Sequence, residues 1–117
     1  MPLCQVLTNV PAPEPQAQRA LLADLSRLMA QRFDKPERWV MTCLVPDLAM
    51  TFGGTPAPTA LVAVKNIGTM KPADTEVLSR EICERLAKAL TVPPERIYIQ
   101  FTDAVDYLWG WNGGTLA

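Results

Sequence analysis

Histidine is absent from the 117-residue chain. That removes Ser-His-Asp and Cys-His catalysis and every histidine-ligated zinc site. Cysteine is sparse. Cys4, Cys43 and Cys83 are widely spaced and odd in number, and they form neither a CxxC pair nor a metal-ligand spacing. They read as reduced, mostly buried thiols of a cytoplasmic protein, with no metal expected. An excess of either charge is also missing. Eleven Lys and Arg face twelve Asp and Glu, for a net charge of -1. This excludes a strongly basic nucleic-acid binder and an acidic tail. No run approaches the ~20 apolar residues of a membrane span. Met1-Pro2-Leu3-Cys4-Gln5 has no basic start, and its apolar run ends at Thr8-Asn9, so a signal peptide is not expected. The pair Gly53-Gly54 stands without the surrounding pattern of a phosphate-binding loop.

The composition is 49% hydrophobic, too apolar for a disordered chain, and the length suits one domain spanning 1–117. Eleven prolines fall at element boundaries rather than in a low-complexity tract. A shift of 58 positions lays the chain on itself without a gap. Leu3 then falls on Leu61, Val6 on Val64, Arg27-Leu28 on Arg85-Leu86, and Pro36-Glu37-Arg38 on Pro94-Glu95-Arg96. The pattern predicts two copies of one unit, about 1–58 and 59–117, each strand, helix, strand.

In the first unit, Leu3 to Thr8 is a short apolar strand closed by Asn9 and Pro11. Apolar residues then recur at Leu21, Leu22, Leu25, Leu28, Met29 and Phe33, one face of a helix over about 16–33. Pro36 ends it. Trp39 to Val45 is a dense apolar run of strand length. In the second unit, Thr59 to Val64 is strand-like and Asp74 is a candidate N-cap. Val77, Leu78, Ile82, Leu86 and Leu90 form the second helical stripe, and Arg96 to Phe101 is the last strand. Two right-handed βαβ units give a four-stranded mixed sheet with both helices on one face. The other face is also apolar, so a partner subunit is expected to cover it. Two tryptophans near the chain end, Trp109 and Trp111, need burial too.

Candidate chemistry is thin but specific in one place. Methionine before proline is normally removed in the cell, which would leave Pro2 as a free secondary amine. Such an amine titrates near 8 in water, and burial or a neighbouring lysine lowers that value. Pro2 is then either a general base or an ordinary processed terminus. Lys35 follows the first helix, either as a functional cation or as a charge that complements the helix dipole. Asp47, Asp103 and Asp106 lie near strand ends without a readable pairing. Arg38 and Arg96 occupy equivalent positions in the two units and suggest a repeated salt bridge at each helix exit.

Several motifs occur together at fixed separations: Met1-Pro2, Thr8-Asn9-Val10-Pro11, Lys35-Pro36, Val45-Pro46-Asp47, Met50-Thr51-Phe52-Gly53-Gly54, Asn66-Ile67-Gly68, Arg96-Ile97-Tyr98-Ile99 and Gly110-Trp111-Asn112-Gly113-Gly114-Thr115. In this combination the chain resembles the macrophage migration inhibitory factor family of the tautomerase superfamily over nearly its whole length. The resemblance implies a homotrimer whose sheets enclose a central channel, with pockets between subunits. It implies keto–enol tautomerisation of phenylpyruvate-like 2-oxo acids and isomerisation of dopachrome analogues, without metal or organic cofactor. Pro2 would be the base. Lys35 and the backbone N–H of Ile67 would hold the substrate, and Tyr98 would come from the neighbouring subunit. Trp39, Trp109, Trp111 and Leu116 match positions that line the family pocket. A protein receptor, and export without a signal peptide, are further family properties.

Three departures stand out. Gln100 replaces a shorter asparagine that would hydrogen-bond the substrate. Trp109 replaces a smaller aliphatic residue at the rim. The CxxC motif of the animal cytokines reads Thr59-Ala60-Leu61-Val62 here, which leaves thiol–disulfide exchange without support. The first two also motivate a second reading, a protein-binding trimer with a vestigial pocket.

Overall fold

The computed structural model describes all residues from Met1 to Ala117. Strand β1 (Leu3–Thr8) leads to helix α1 (Pro15–Phe33) and strand β2 (Met41–Val45). Strand β3 (Ala60–Ile67), helix α2 (Pro72–Leu90) and strand β4 (Ile97–Ala104) repeat that order. A hairpin of β5 (Gly110–Trp111) and β6 (Gly114–Thr115) closes the chain. The four long strands form one mixed sheet in the order β2-β1-β3-β4. Strand β1 runs parallel to β2 and β3 parallel to β4, while β1 and β3 meet antiparallel.

Both helices begin with a proline in the first turn, where the missing N–H costs nothing. Helix α1 buries Leu21, Leu25, Leu28 and Met29, and α2 buries Leu78, Ile82, Leu86 and Leu90. These stripes lie on Cys4, Val6, Ala60, Val62, Val64 and Ile97 of the sheet to make one core. Both helices therefore cover the same sheet face. Arg32 pairs with Glu81 between the helices, and Arg85 Nε lies 3.0 Å from Asp24 Oδ2 without the alignment of a hydrogen bond.

The strand register sorts the opposite face. Met41 and Cys43, Leu3, Gln5 and Leu7, Leu61 and Ala63, and Tyr98 and Gln100 share it. No helix or strand packs there; only the loop at Phe52 reaches its Tyr98 edge, and Tyr98 is 65% and Met41 66% exposed.

Four local expectations need correction. Trp39 does not start a strand: 37–39 is a 3-10 turn after Pro36, and β2 begins at Met41. Arg96 likewise ends a 3-10 turn before β4. Asp74 is not the N-cap of α2; Lys71 holds that place because Pro72 already opens the helix. Arg38 and Arg96 form no salt bridge. Arg38 lies 5.4 Å from the centroid of the Trp39 ring, and Arg96 binds backbone carbonyls instead. Of the thiols, Cys4 is buried, while Cys43 and Cys83 are partly exposed.

Candidate functional site

The amino terminus, the end of α1 and the end of β3 converge. Helix α1 stops because Asp34 takes a left-handed conformation at φ 51°, and the Lys35 N–H then turns back to the Ala30 carbonyl at 3.0 Å. That reversal brings Lys35 to a cavity of about 310 Å³ shared with Arg32, Asp34, Asn66, Ile67 and Thr69. Lys35 makes no ion pair or side-chain hydrogen bond within the chain. Pro2 is buried where β1 begins, and its carbonyl accepts the Met41 N–H at 3.0 Å. Partial burial, and then the charge of Lys35, hold the amine of Met1, one residue ahead of Pro2, below its ordinary pKa.

A second group gathers at the tail. The Trp39 and Trp111 rings meet edge to face, 4.9 Å between centroids and 88° between planes. The Leu116 N–H donates to the Trp109 carbonyl at 3.1 Å and to the Asp106 carbonyl at 3.3 Å. The tail tryptophans and Leu116 thus share one hairpin, joined to the 3-10 turn after Lys35.

Tyr98 and Gln100 are elsewhere. Tyr98 is the register partner of Leu61, six residues along β3 from Ile67. At about 3.3 Å per residue, the two ends of β3 are roughly 20 Å apart. Within one chain Tyr98 does not reach the cavity at Lys35. It lines instead a cavity of about 260 Å³ with Met50, Phe52 and Leu61, and its ring lies 4.8 Å from that of Phe52.

The loop carrying Phe52 turns at its glycine pair and is held by Arg96 and Asn9, two residues to which sequence patterning gave no such role. Gly53 and Gly54, at φ 60° and 77°, make the tight reversal that bridges Phe52 to Thr55; both positions need the left-handed region. Arg96 donates to the carbonyls of Phe52, Thr55, Ala57 and Pro58. Asn9 donates to Pro56 and Ala57 and accepts from the Thr59 N–H. The signal was the repeat: Arg96 has a counterpart, Arg38, which lacks a loop to hold. The three strand-end carboxylates also serve the backbone. Asp47 accepts from Ala12, Asp103 from Met70 and Asp106 from Tyr107.

No cluster of three or more histidine, cysteine or carboxylate side chains gathers in the fold, and no helix is long and apolar enough to cross a membrane.

Twin βαβ units with both helices on one face of a four-stranded mixed sheet define the tautomerase fold. The family model for macrophage migration inhibitory factor matches residues 1–117, and the chain belongs to that family. It is similar to the macrophage migration inhibitory factor of Meriones unguiculatus, 38% identical over the full length of both chains. Among solved structures it resembles the homologue from Prochlorococcus marinus, at a TM-score of 0.94 and 39% identity over 98% of this chain and 99% of that one. The Toxoplasma gondii protein matches at a TM-score of 0.89 and 29% identity, over 97% and 98%.

Proposed function

We propose that the chain is a cofactor-independent keto–enol tautomerase of arylpyruvate-type 2-oxo acids, also competent toward dopachrome analogues. Pro2 is its base once Met1 is removed. The observation that carries this reading is the placement of buried Pro2 at the start of β1, with Lys35 near enough to lower the pKa of the Met1 amine one residue ahead of it. Removing a proton next to a carbonyl develops negative charge on oxygen. Lys35 and the Ile67 N–H stabilise that charge in the cavity they share. The Pro2 amine takes the proton from carbon and returns it to oxygen, or runs the reverse path.

The site needs three copies. Tyr98 and Gln100 are roughly 20 and 13 Å along the sheet from Ile67, so they serve the cavity of a neighbouring subunit. A homotrimer with the uncovered sheet faces inward seats them there and buries Leu3, Leu61 and Met41. Trp39, Trp109, Trp111 and Leu116 form the apolar wall, and Trp109 and Gln100 select the substrate. The unpaired thiols fit a reducing, cytoplasmic location, with export lacking a signal peptide as a family trait.

The test is phenylpyruvate ketonisation across pH, on protein whose intact mass confirms loss of Met1. Activity that falls at acidic pH and disappears in Pro2→Gly supports the reading. Equal turnover by Pro2→Gly overturns it. Sedimentation should give three subunits. Correctly processed but inactive protein would favour the protein-binding reading, in which Trp109 and Gln100 have closed the pocket and a receptor is the ligand.

A further inference from the structure

Asn66 carries the one carboxamide in the fold whose oxygen is sealed from solvent and left without a partner. The residue is 6% exposed, and its Oδ1 accepts no hydrogen bond. An orphaned acceptor of this kind destabilises a folded chain unless a donor arrives from outside the set already present. Its position says which donor.

Strands β1 and β3 pair antiparallel with Leu3 opposite Lys65. One step further along the same register, Pro2 stands opposite Asn66. Both are buried, so both lie on the helix-covered face, where side chains of directly opposed residues are close neighbours. The Pro2 carbonyl is already used by Met41. While Met1 is attached, the Pro2 nitrogen is a tertiary amide with no hydrogen to give. Loss of Met1 converts it to a secondary amine with one N–H when neutral and two when protonated. The processing step thus creates a donor opposite the unsatisfied acceptor.

We propose that Asn66 is the positioning residue for the Pro2 amine, its Oδ1 accepting one N–H of the processed terminus. The proposal rests on the reading of Pro2 as base. With one N–H tied to Asn66, the lone pair of the neutral amine is turned away from the core, toward the cavity at Lys35 and Ile67. When the amine takes a proton from the substrate carbon, the new N–H occupies that lone-pair position. It leaves again to the substrate oxygen, and the bond to Asn66 persists throughout. An acceptor favours the ammonium form, because hydrogen bonds from a charged donor are the stronger ones. Asn66 therefore opposes burial and Lys35, which both favour the neutral amine.

The charged groups around the cavity are Lys35 and Asp34 beyond α1, Arg32 held by Glu81, and Asp74 in the first turn of α2. Asp103 faces Asn66 from β4 and is held by the Met70 N–H, and Lys65 lies next along β3 on the opposite face. A neutral replacement of Asn66 changes none of these charges.

The experiment is an NMR titration of the Pro2 amine in ¹⁵N-proline-labelled protein lacking Met1, for the native chain, Asn66→Leu and Asn66→Ala. Both variants should lose about tenfold in proton affinity at Pro2, which is about one pKa unit. The acid limb of the phenylpyruvate kcat/KM profile should move by the same amount. Asn66→Leu removes a buried orphan and should fold, and Asn66→Ala is the smaller second variant. A titration unchanged in either folded variant overturns the proposal. The readout stands apart from turnover. Activity lost in Pro2→Gly with an unmoved titration sinks Asn66 alone, while activity retained in Pro2→Gly sinks the base and leaves the hydrogen bond measurable.

Discussion

The guanidinium of Arg96 lies 5.3 Å from the centroid of the Phe52 ring, and its Nη1 donates to the Phe52 carbonyl at 3.2 Å. Phe52 in turn packs on Tyr98. One side chain at the entrance to β4 therefore fixes the loop that walls the Tyr98 ring. Arg96→Ala should destabilise the chain by about 1–3 kcal/mol, the range for losing bonds from a charged donor together with ring packing. Arg96→Lys should rescue little, because an ammonium cannot span the four carbonyls that the planar guanidinium reaches. Urea midpoints of the three proteins test this.

Lys35 should set the acid limb of the activity profile. Its charge lowers the pKa of the Met1 amine, second to burial, and the Pro2 amine freed by loss of Met1 should feel the same repulsion. In Lys35→Ala that repulsion is gone, the amine holds its proton to higher pH, and less of it is neutral at any given acidic pH. The acid limb of kcat/KM should move toward alkaline pH. KM should rise as well, because the substrate carboxylate loses its cation. Lys35→Arg should restore the position of the limb while binding differently. A limb that stays in place would mean that Lys35 acts on the substrate alone.

Much of this geometry was legible beforehand, for reasons that can be named. The helices follow from stripes of leucine at helical spacing, and β1 was bounded correctly by Leu3 and Thr8. Boundaries failed where proline acts. Pro36 and Pro94 each open a 3-10 turn, so Trp39 and Arg96 looked like the first strand residues when they are the last turn residues. Pro72 opens α2 and displaces Asp74 from the cap. The carbonyl clamp of Arg96 was illegible because its partners lie about 40 residues away and offer only backbone. Asn66 stood inside a motif, but only the register shows what it faces. That Pro2, Lys35 and Ile67 belong together came from resemblance. The structure adds that Lys35, Asn66 and Ile67 share one cavity and that Lys35 lowers the pKa of the Met1 amine, next to Pro2.

Cys4 makes an independent test of the core. Burial, and then the nearby Cys43 thiol, push its pKa from 9.0 up to about 12. A raised thiol pKa favours the neutral form in the folded state. Its contribution to stability is full below about pH 9 and is lost as pH climbs toward 12, at up to about 1.4 kcal/mol per pH unit. Denaturant midpoints of the native chain should therefore fall between pH 9 and 11 more steeply than those of Cys4→Ala. At pH 8, alkylation should reach Cys4 only on unfolding.

Thr91 offers the simplest gain. It caps α2 at φ 57° and ψ 40°, a left-handed conformation that a β-branched residue resists. Its side chain is exposed, so replacement removes no packing. The left-handed region costs an ordinary residue about 1–2 kcal/mol, and the extra freedom of glycine in the unfolded chain offsets about half of that. Thr91→Gly should thus stabilise the protein by about 0.5–1 kcal/mol, seen as a higher urea midpoint at unchanged slope. The first unit supplies the control. Asp34 holds the equivalent place after α1 at φ 51°, but aspartate visits this region more readily than threonine. Asp34→Gly should gain less than Thr91→Gly. Equal gains would mean that the cap conformation, rather than β-branching, carries the strain.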